Sequence, residues 1–257
     1  MLFSAGIFAV LGLFVTALAA LIVGDALHTN RSAVDEALHT PEIRAALWLT
    51  LWTTTLAALI SLALAVPIGY ALSRYRFPGR LLVDTMVDLP IVFPPLVMGV
   101  SLLVLCRSPI GLWLESVGIE FIYQRSGIVL AQVFVAASFG IRTIKATFDD
   151  IDRREEDVAQ TLGCTRGQAF WQVALPNARE GIVAGAILAW ARAFGMFGPL
   201  MVFVGAVRMR TEVLSTTVYL ETSVGHIELA LAVALFMIVV ATGALILIRL
   251  FGGRTGL

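Results

Sequence analysis

"AALWLTLWTTTLAALISLALAVPIGYAL", Ala45–Leu72, runs its whole length without a charged residue. About 20 predominantly apolar residues carry a helix across the hydrocarbon of a bilayer, so this stretch is long enough to span it. Its apolarity is continuous rather than alternating, which disfavours the strands of a β-barrel. Backbone N–H and C=O groups in lipid have no water to bond, and a helix satisfies them within one segment. The rest of the 257-residue chain follows the same pattern. It is 59% hydrophobic and 14% charged, against about 25% charged for a soluble domain, and its mean hydropathy is +0.91. Five further windows qualify or nearly do: Phe3–Val23, Leu89–Cys106, Ser126–Ile141 running on to about Phe148, Gly181–Val207 and Leu229–Ile248. The composition therefore predicts an all-α polytopic membrane protein with about six transmembrane helices.

The first window has no Lys or Arg before it and exceeds an ordinary signal-peptide core, so it reads as a retained helix more readily than as a cleaved leader. In the third, Pro90, Pro94 and Pro95 favour a kinked or broken helix, which serves either as a packing kink or as a pore or gate lining. The fifth holds the one charge within a window, Arg192, beside the helix-weakening Gly195, Gly198 and Pro199. An intramembrane charge faces the bundle interior or water, because exposing it to lipid costs at least about 2.5 kcal/mol. Two readings of Arg192 follow: a pore-lining cation that welcomes an anion, or a structural side chain bonded to carbonyls of neighbouring helices.

Basic residues orient the chain. With the N-terminus inside, segments 73–88, 142–180 and 249–257 are internal and hold 11 Lys and Arg, against 6 in the external loops. The excess places both termini and the polar stretch "EEDVAQTLGCTRGQAFWQVALPNARE", Glu155–Glu180, in the cytoplasm. That stretch reads as a helix from Asp152 to Leu162, a left-handed stop at Gly163, and a second helix opened by a Thr165–Gln168 capping box. Pro176 is expected to end the second helix, and Asn177 with Glu180 to cap the next span. Val158, Leu162, Phe170 and Val173 supply an apolar side. By physics alone this is an amphipathic hairpin resting on lipid, an ordinary inter-helix loop, or a rigid knob that docks into a soluble partner.

The spacing here resembles the cytoplasmic loop of ABC importer permeases: Glu-Ala-Ala, three residues, Gly, nine residues, Ile-x-Leu-Pro. This chain has Asp157-Val158-Ala159, three residues, Gly163, nine residues, then Val173-Ala174-Leu175-Pro176. "RYRFPGR" (Arg74–Arg80), "DLPIVFPPLVMG" (Asp88–Gly99) and "RTEVLSTTVYLE" (Arg210–Glu221) resemble the molybdate, tungstate and sulfate branch of those permeases. So does "ARAFGMFG" (Ala191–Gly198), although Met196 stands where that branch usually has Glu. The resemblance covers about residues 45–250.

It implies a permease core over 45–250 with a coupling loop at 149–180 between the fourth and fifth spans, which the apolar windows and loop charges flank with a first helix and external loop over 1–44 and a short cytoplasmic tail at 251–257. It further implies a pore made of two copies, a homodimer in the molybdate-like members, set in the cytoplasmic (inner) membrane. A cytoplasmic ATPase dimer docks on the loop through Asp157, Ala159, Gly163, Thr165, Leu175 and Pro176, and an external solute-binding protein delivers the cargo. Pro94, Pro95, Arg192 and Met196 are the pore or gate expectations. The cargo by resemblance is a tetrahedral oxyanion; ferric ion or a polyamine is the alternative within the class, and a membrane enzyme or a passive channel lies outside it.

No phosphate-binding Gly-x-x-x-x-Gly-Lys-Ser/Thr loop is present, so ATP and its Mg²⁺ belong to the partner ATPase, and no cofactor, metal or catalytic group is expected on this chain. His28, His39 and His226 lack metal-ligand spacing. Asp149, Asp150 and Asp152 read as dipole complements at a helix start. Met86, Met98, Met196 and Met201 read as packing, and Cys106 and Cys164 as unpaired thiols. The zero net charge disfavours a nucleic-acid partner.

Overall fold

A computed structural model describes residues 2–252. Among them every regular element is a helix. In chain order these are α1 (Leu2–His28), α2 (Arg31–His39), α3 (Pro41–Arg74), α4 (Arg80–Val92), α5 (Pro95–Cys106), α6 (Pro109–Ser116) and α7 (Arg125–Asp150). There follow α8 (Arg153–Thr161), α9 (Arg166–Ala169), a π-turn (Phe170–Ala174) and α10 (Leu175–Asn177). The last four are α11 (Arg179–Phe194), α12 (Gly198–Phe203), α13 (Leu214–Val224) and α14 (Ile227–Gly252).

Within α1, α3, α7 and α14 lie four helices long and apolar enough to cross a membrane, and a bent α4–α5 pair is a fifth. The expected third window begins at Leu89, but its helix starts earlier, at Arg80. Pro90 is tolerated within α4, and the chain breaks at Phe93–Pro94, where α4 and α5 meet at a bend of 117°. The fifth window is not one continuous helix. α11 stops at Phe194, and α12 begins only at Gly198. The sixth runs on to Gly252, so the expected tail at 251–257 begins as helix, and its residues 253–257 lie outside the described part of the chain.

The centre of the fold is a packed trio of α3, α7 and α11. Lipid tails are as apolar as leucine, so membrane helices associate through close packing and polar contacts rather than by the hydrophobic effect. The trio has both. Ala57, Ala65, Ala136, Ala137, Ala189 and Ala193 are buried where the helices approach. Gln132 of α7 donates through Nε2 to Thr54 Oγ1 of α3 at 3.4 Å and to the Ala193 carbonyl of α11 at 3.2 Å. The Leu214 N–H donates to Thr50 Oγ1 at 2.9 Å, which pins the start of α13 to α3. α12 packs on α5, α13 on α14, and the exposed α1 lies along α14.

Candidate functional site

Two places carry the expected site residues. The first is the polar elbow after α7. Asp152 caps α8, its carboxylate accepting from the Arg154 N–H at 3.0 Å. Asp149 and Asp150 end α7 instead of opening α8, and Asp149 pairs with Lys145 at 3.2 Å. That corrects their reading as a helix-start cluster: Ile151 is extended and separates them from Asp152.

α8 ends as expected. Gly163 has φ +99°, its N–H donates to the Gln160 carbonyl at 3.0 Å, and the Cys164 N–H donates to Ala159 at 3.1 Å. This pair of bonds is the Schellman closure that a left-handed glycine permits. Thr165 then caps α9 with the expected box. The Gln168 N–H donates to Thr165 Oγ1 at 3.3 Å, and the Thr165 N–H to Gln168 Oε1 at 2.8 Å.

The exit differs from expectation. Pro176 does not end the helix. The π-turn over Phe170–Ala174 takes up one extra residue, with the Leu175 N–H donating to the Phe170 carbonyl, and the helical path continues through Leu175 and Pro176. A proline lacks an N–H and its ring clashes with the carbonyl four residues back; the wider turn relieves both. The N-cap position of α11 therefore falls to Ala178, and Asn177 instead ends α10. Its side-chain amide donates to Glu155, tying the end of the elbow to its beginning.

The apolar side is divided. Phe170 turns inward, 4.6 Å from the Tyr70 ring and 6.5 Å from Phe148. Val158, Leu162 and Trp171 face outward, Leu162 at 81% exposure. Ala159 seats α8 on the body of the protein, and Asp157 is exposed on the rim of a polar cavity of about 280 Å³ lined also by Tyr70, Arg74, Arg153 and Glu156.

The residue that anchors this elbow escaped the sequence reading. Glu156, 6% exposed, accepts from Arg74 Nε at 2.7 Å and from the Tyr70 hydroxyl at 2.6 Å. Arg74 also donates to the carbonyls of Phe148 at 2.7 Å and Ile151 at 3.1 Å. Every charge in the clasp is thus paired and hydrogen-bonded, which a buried ion pair requires. The signal was weak: three acids stand in a row at 155–157, and only the Glu156–Ala159 spacing marks which one faces inward.

The second place is a cavity of about 510 Å³ beside the bend of the third span. It brings together Arg192, Met196 and Pro95, with Phe93, Phe139 and Gly198. Pro94 does not line it but precedes α5 at the bend. Among the described residues that line it, Arg192 is the one ionisable side chain. The guanidinium lies 4.2 Å over the Phe139 ring, and among the described residues it makes no hydrogen bond to a backbone carbonyl. Its partner among the described residues is thus a ring on α7 and not a carbonyl. Met196 is buried in the cluster with Met98 and Leu200, and its carbonyl accepts from Ser215 Oγ at 2.7 Å.

Among protein families, the one described as binding-protein-dependent transport system inner membrane component matches residues 61–256. The chain belongs to this family. Like other members it is a transmembrane permease subunit of an ABC importer. The molybdate/tungstate transport system permease protein WtpB of Thermococcus kodakarensis is 39% identical over 199 residues, 76% of each chain. The sulfate transport system permease protein CysT of Escherichia coli is 31% identical over 82% of this chain and 76% of its own. The molybdenum permease ModB of Mycobacterium bovis is 34% identical over 84% and 81%. In fold the chain is similar to a bacterial ABC transporter that imports the acidic polysaccharide alginate, with a TM-score of 0.80 at 19% identity over 100% of this chain and 96% of that one. A family permease must receive work from outside the bilayer and pass solute through it.

Proposed function

We propose that two copies of this chain line the path of a tetrahedral oxyanion, of the molybdate, tungstate or sulfate class, across the cytoplasmic membrane with both termini inside. An external binding protein delivers the anion. A cytoplasmic ATPase dimer docks on the loop at 149–180, through Asp157, Gly163 and Thr165, with the buried Ala159 holding α8 in place and Leu175 and Pro176 carrying the motion into α11. ATP and Mg²⁺ are held by that partner.

The observation that carries the choice of cargo is Arg192, a guanidinium resting on the Phe139 ring in a cavity with no other ionisable lining group among the described residues. Such a charge attracts an anion and repels ferric ion or a polyamine, and its field is strong where little water screens it. The relatives named for sulfate and molybdate point the same way. A stiff elbow with a closed glycine turn, a capping box and a buried ionic clasp supports the docking role, because a floppy loop would absorb the movement it must pass on.

Reconstitution with the ATPase and binding protein tests this reading. Arg192→Gln should lower oxyanion uptake by about tenfold, a loss of about 1.4 kcal/mol, with Arg192→Lys intermediate and complex assembly intact. Unchanged uptake in Arg192→Gln would remove the cavity from the path.

A further inference from the structure

α4 is an unusual piece of this molecule. None of its thirteen residues is buried. It begins at a left-handed glycine, Gly79 with φ +81°, and ends at the Phe93–Pro94 break with its bend of 117°. Both ends are therefore places where the chain changes direction, and between them Val87 packs, partly buried, against the cluster of Leu72, Ile141 and Phe148. Such a segment lies at the low-stability end of a fold.

Its polar tie to α7 is ionic. Asp84 and Asp88 lie four residues apart on one face of α4, where two like charges repel each other. Arg142 of α7 reaches both. Nε and Nη2 donate to the two oxygens of Asp88, and Nη1 lies 3.5 Å from Asp84 Oδ1. The planar guanidinium fork suits this two-carboxylate grip, and a lysine could not reproduce it. The three side chains are 40%, 26% and 27% exposed, so the pair is only partly enclosed by this chain.

The tie also sits at a telling depth. Pro90 and Ile91, just past Asp88, line the Arg192 cavity, as does Phe139 on α7. Arg142 lies one helical turn beyond Phe139, on the cytoplasmic side in the proposed orientation.

We propose that α4 is a hinged arm closing the cytoplasmic side of the cavity, and that Arg142 with Asp84 and Asp88 is the latch holding it against α7. The inference rests on the transport reading. In it, Arg142 and the two aspartates are positioning residues: they touch no cargo, and they set how often the inner door stands open.

The test uses the full transporter with its ATPase and binding protein, in inside-out proteoliposomes, with Cys106→Ser, Cys164→Ser and the reporter Ile91→Cys. The rate at which a membrane-impermeant maleimide labels the reporter is measured alongside ATP hydrolysis in the absence of binding protein. Arg142→Gln should raise both by about fivefold, the population shift a part-exposed multidentate pair can hold. The exchange Asp88→Arg with Arg142→Asp should return both towards wild type. Rates unmoved in Arg142→Gln, or raised and not restored by the exchange, overturn the latch.

Should Arg142→Gln fail to assemble, Asp88→Cys with Arg142→Cys provides a second arm. A short, reducible thiol cross-linker should join the two residues and stop uptake until reduction frees them. No cross-link, or full-speed uptake while cross-linked, also overturns the proposal. A wild-type chain without binding-protein-dependent uptake fails the transport reading itself, whereas a transporting chain with an unmoved reporter fails the latch alone.

Discussion

Gly163 shows how a single position carries the elbow. Its φ of +99° lies where a side chain is strained, while the space around it is open, so the cost of replacing it is conformational and not steric. Gly163→Val should cost about 1–3 kcal/mol locally and abolish most binding-protein stimulation of ATP hydrolysis in the reconstituted complex. Gly163→Asn, which tolerates left-handed backbone, should keep most of it. Equal losses in the two variants would contradict this account of the turn.

Glu212 is a residue of another kind. It is 3% exposed in the loop before α13, and its Oε2 has no hydrogen-bond partner among the described residues. Burial pushes its carboxyl above the usual range, outweighing the hydrogen bond from Thr217 and the pull of Arg208. A carboxyl raised in the folded state contributes stability below its unfolded pKa and loses it as pH rises through the folded one. Glu212→Gln mimics the neutral acid, so its melting temperature should exceed that of wild type at neutral pH. The gap should narrow as the pH falls through the acidic range, and thermal unfolding in detergent at several pH values reads this directly.

Elements were legible in the sequence to the degree that local chemistry fixes them. The Pro94–Pro95 pair announced a broken third span, and Gly195 with Pro199 announced the interrupted fifth, whereas Pro90 and Pro67 sit inside unbroken helices. The π-turn was not legible. Pro176 can end a helix or be absorbed by a wider turn, and what decides here is tertiary: Phe170 packs at 4.6 Å against Tyr70 and beside Phe148. Phe170→Ala should therefore loosen the join between the elbow and α11. The expected cost is about 2 kcal/mol, below the range for a fully buried phenylalanine because the ring is half-buried. Thermal unfolding should show it together with weaker ATPase stimulation, and a loss of stability with full stimulation would place the ring outside the coupling route.

For the whole molecule, the apolar windows predicted the class of fold, but not which helices form its centre. Alanine-rich faces on α3, α7 and α11 look alike in sequence, and only the assembled trio shows them buried together. The site divided in the same way. The turn at Gly163 and the cap at Thr165 are set by neighbours in sequence and were read correctly. The Arg74–Glu156 clasp joins residues 82 apart, and Arg142–Asp88 joins residues 54 apart, so neither pairing was visible in any window. Arg192 was flagged as the lone intramembrane charge, and its place over Phe139 required the fold. Together these give a molecule in which a stiff elbow and a cationic cavity are joined by α11, the helix that leaves the first and ends at the second.

That account is tested most directly by uptake of labelled molybdate into proteoliposomes holding this chain, its ATPase and its binding protein. Unlabelled tungstate, sulfate, ferric ion and a polyamine serve as competitors. The prediction is uptake that requires both ATP and the binding protein, is competed by an oxyanion and is indifferent to the cations. Uptake of a cation instead, or oxyanion flux that persists without ATP, would contradict it.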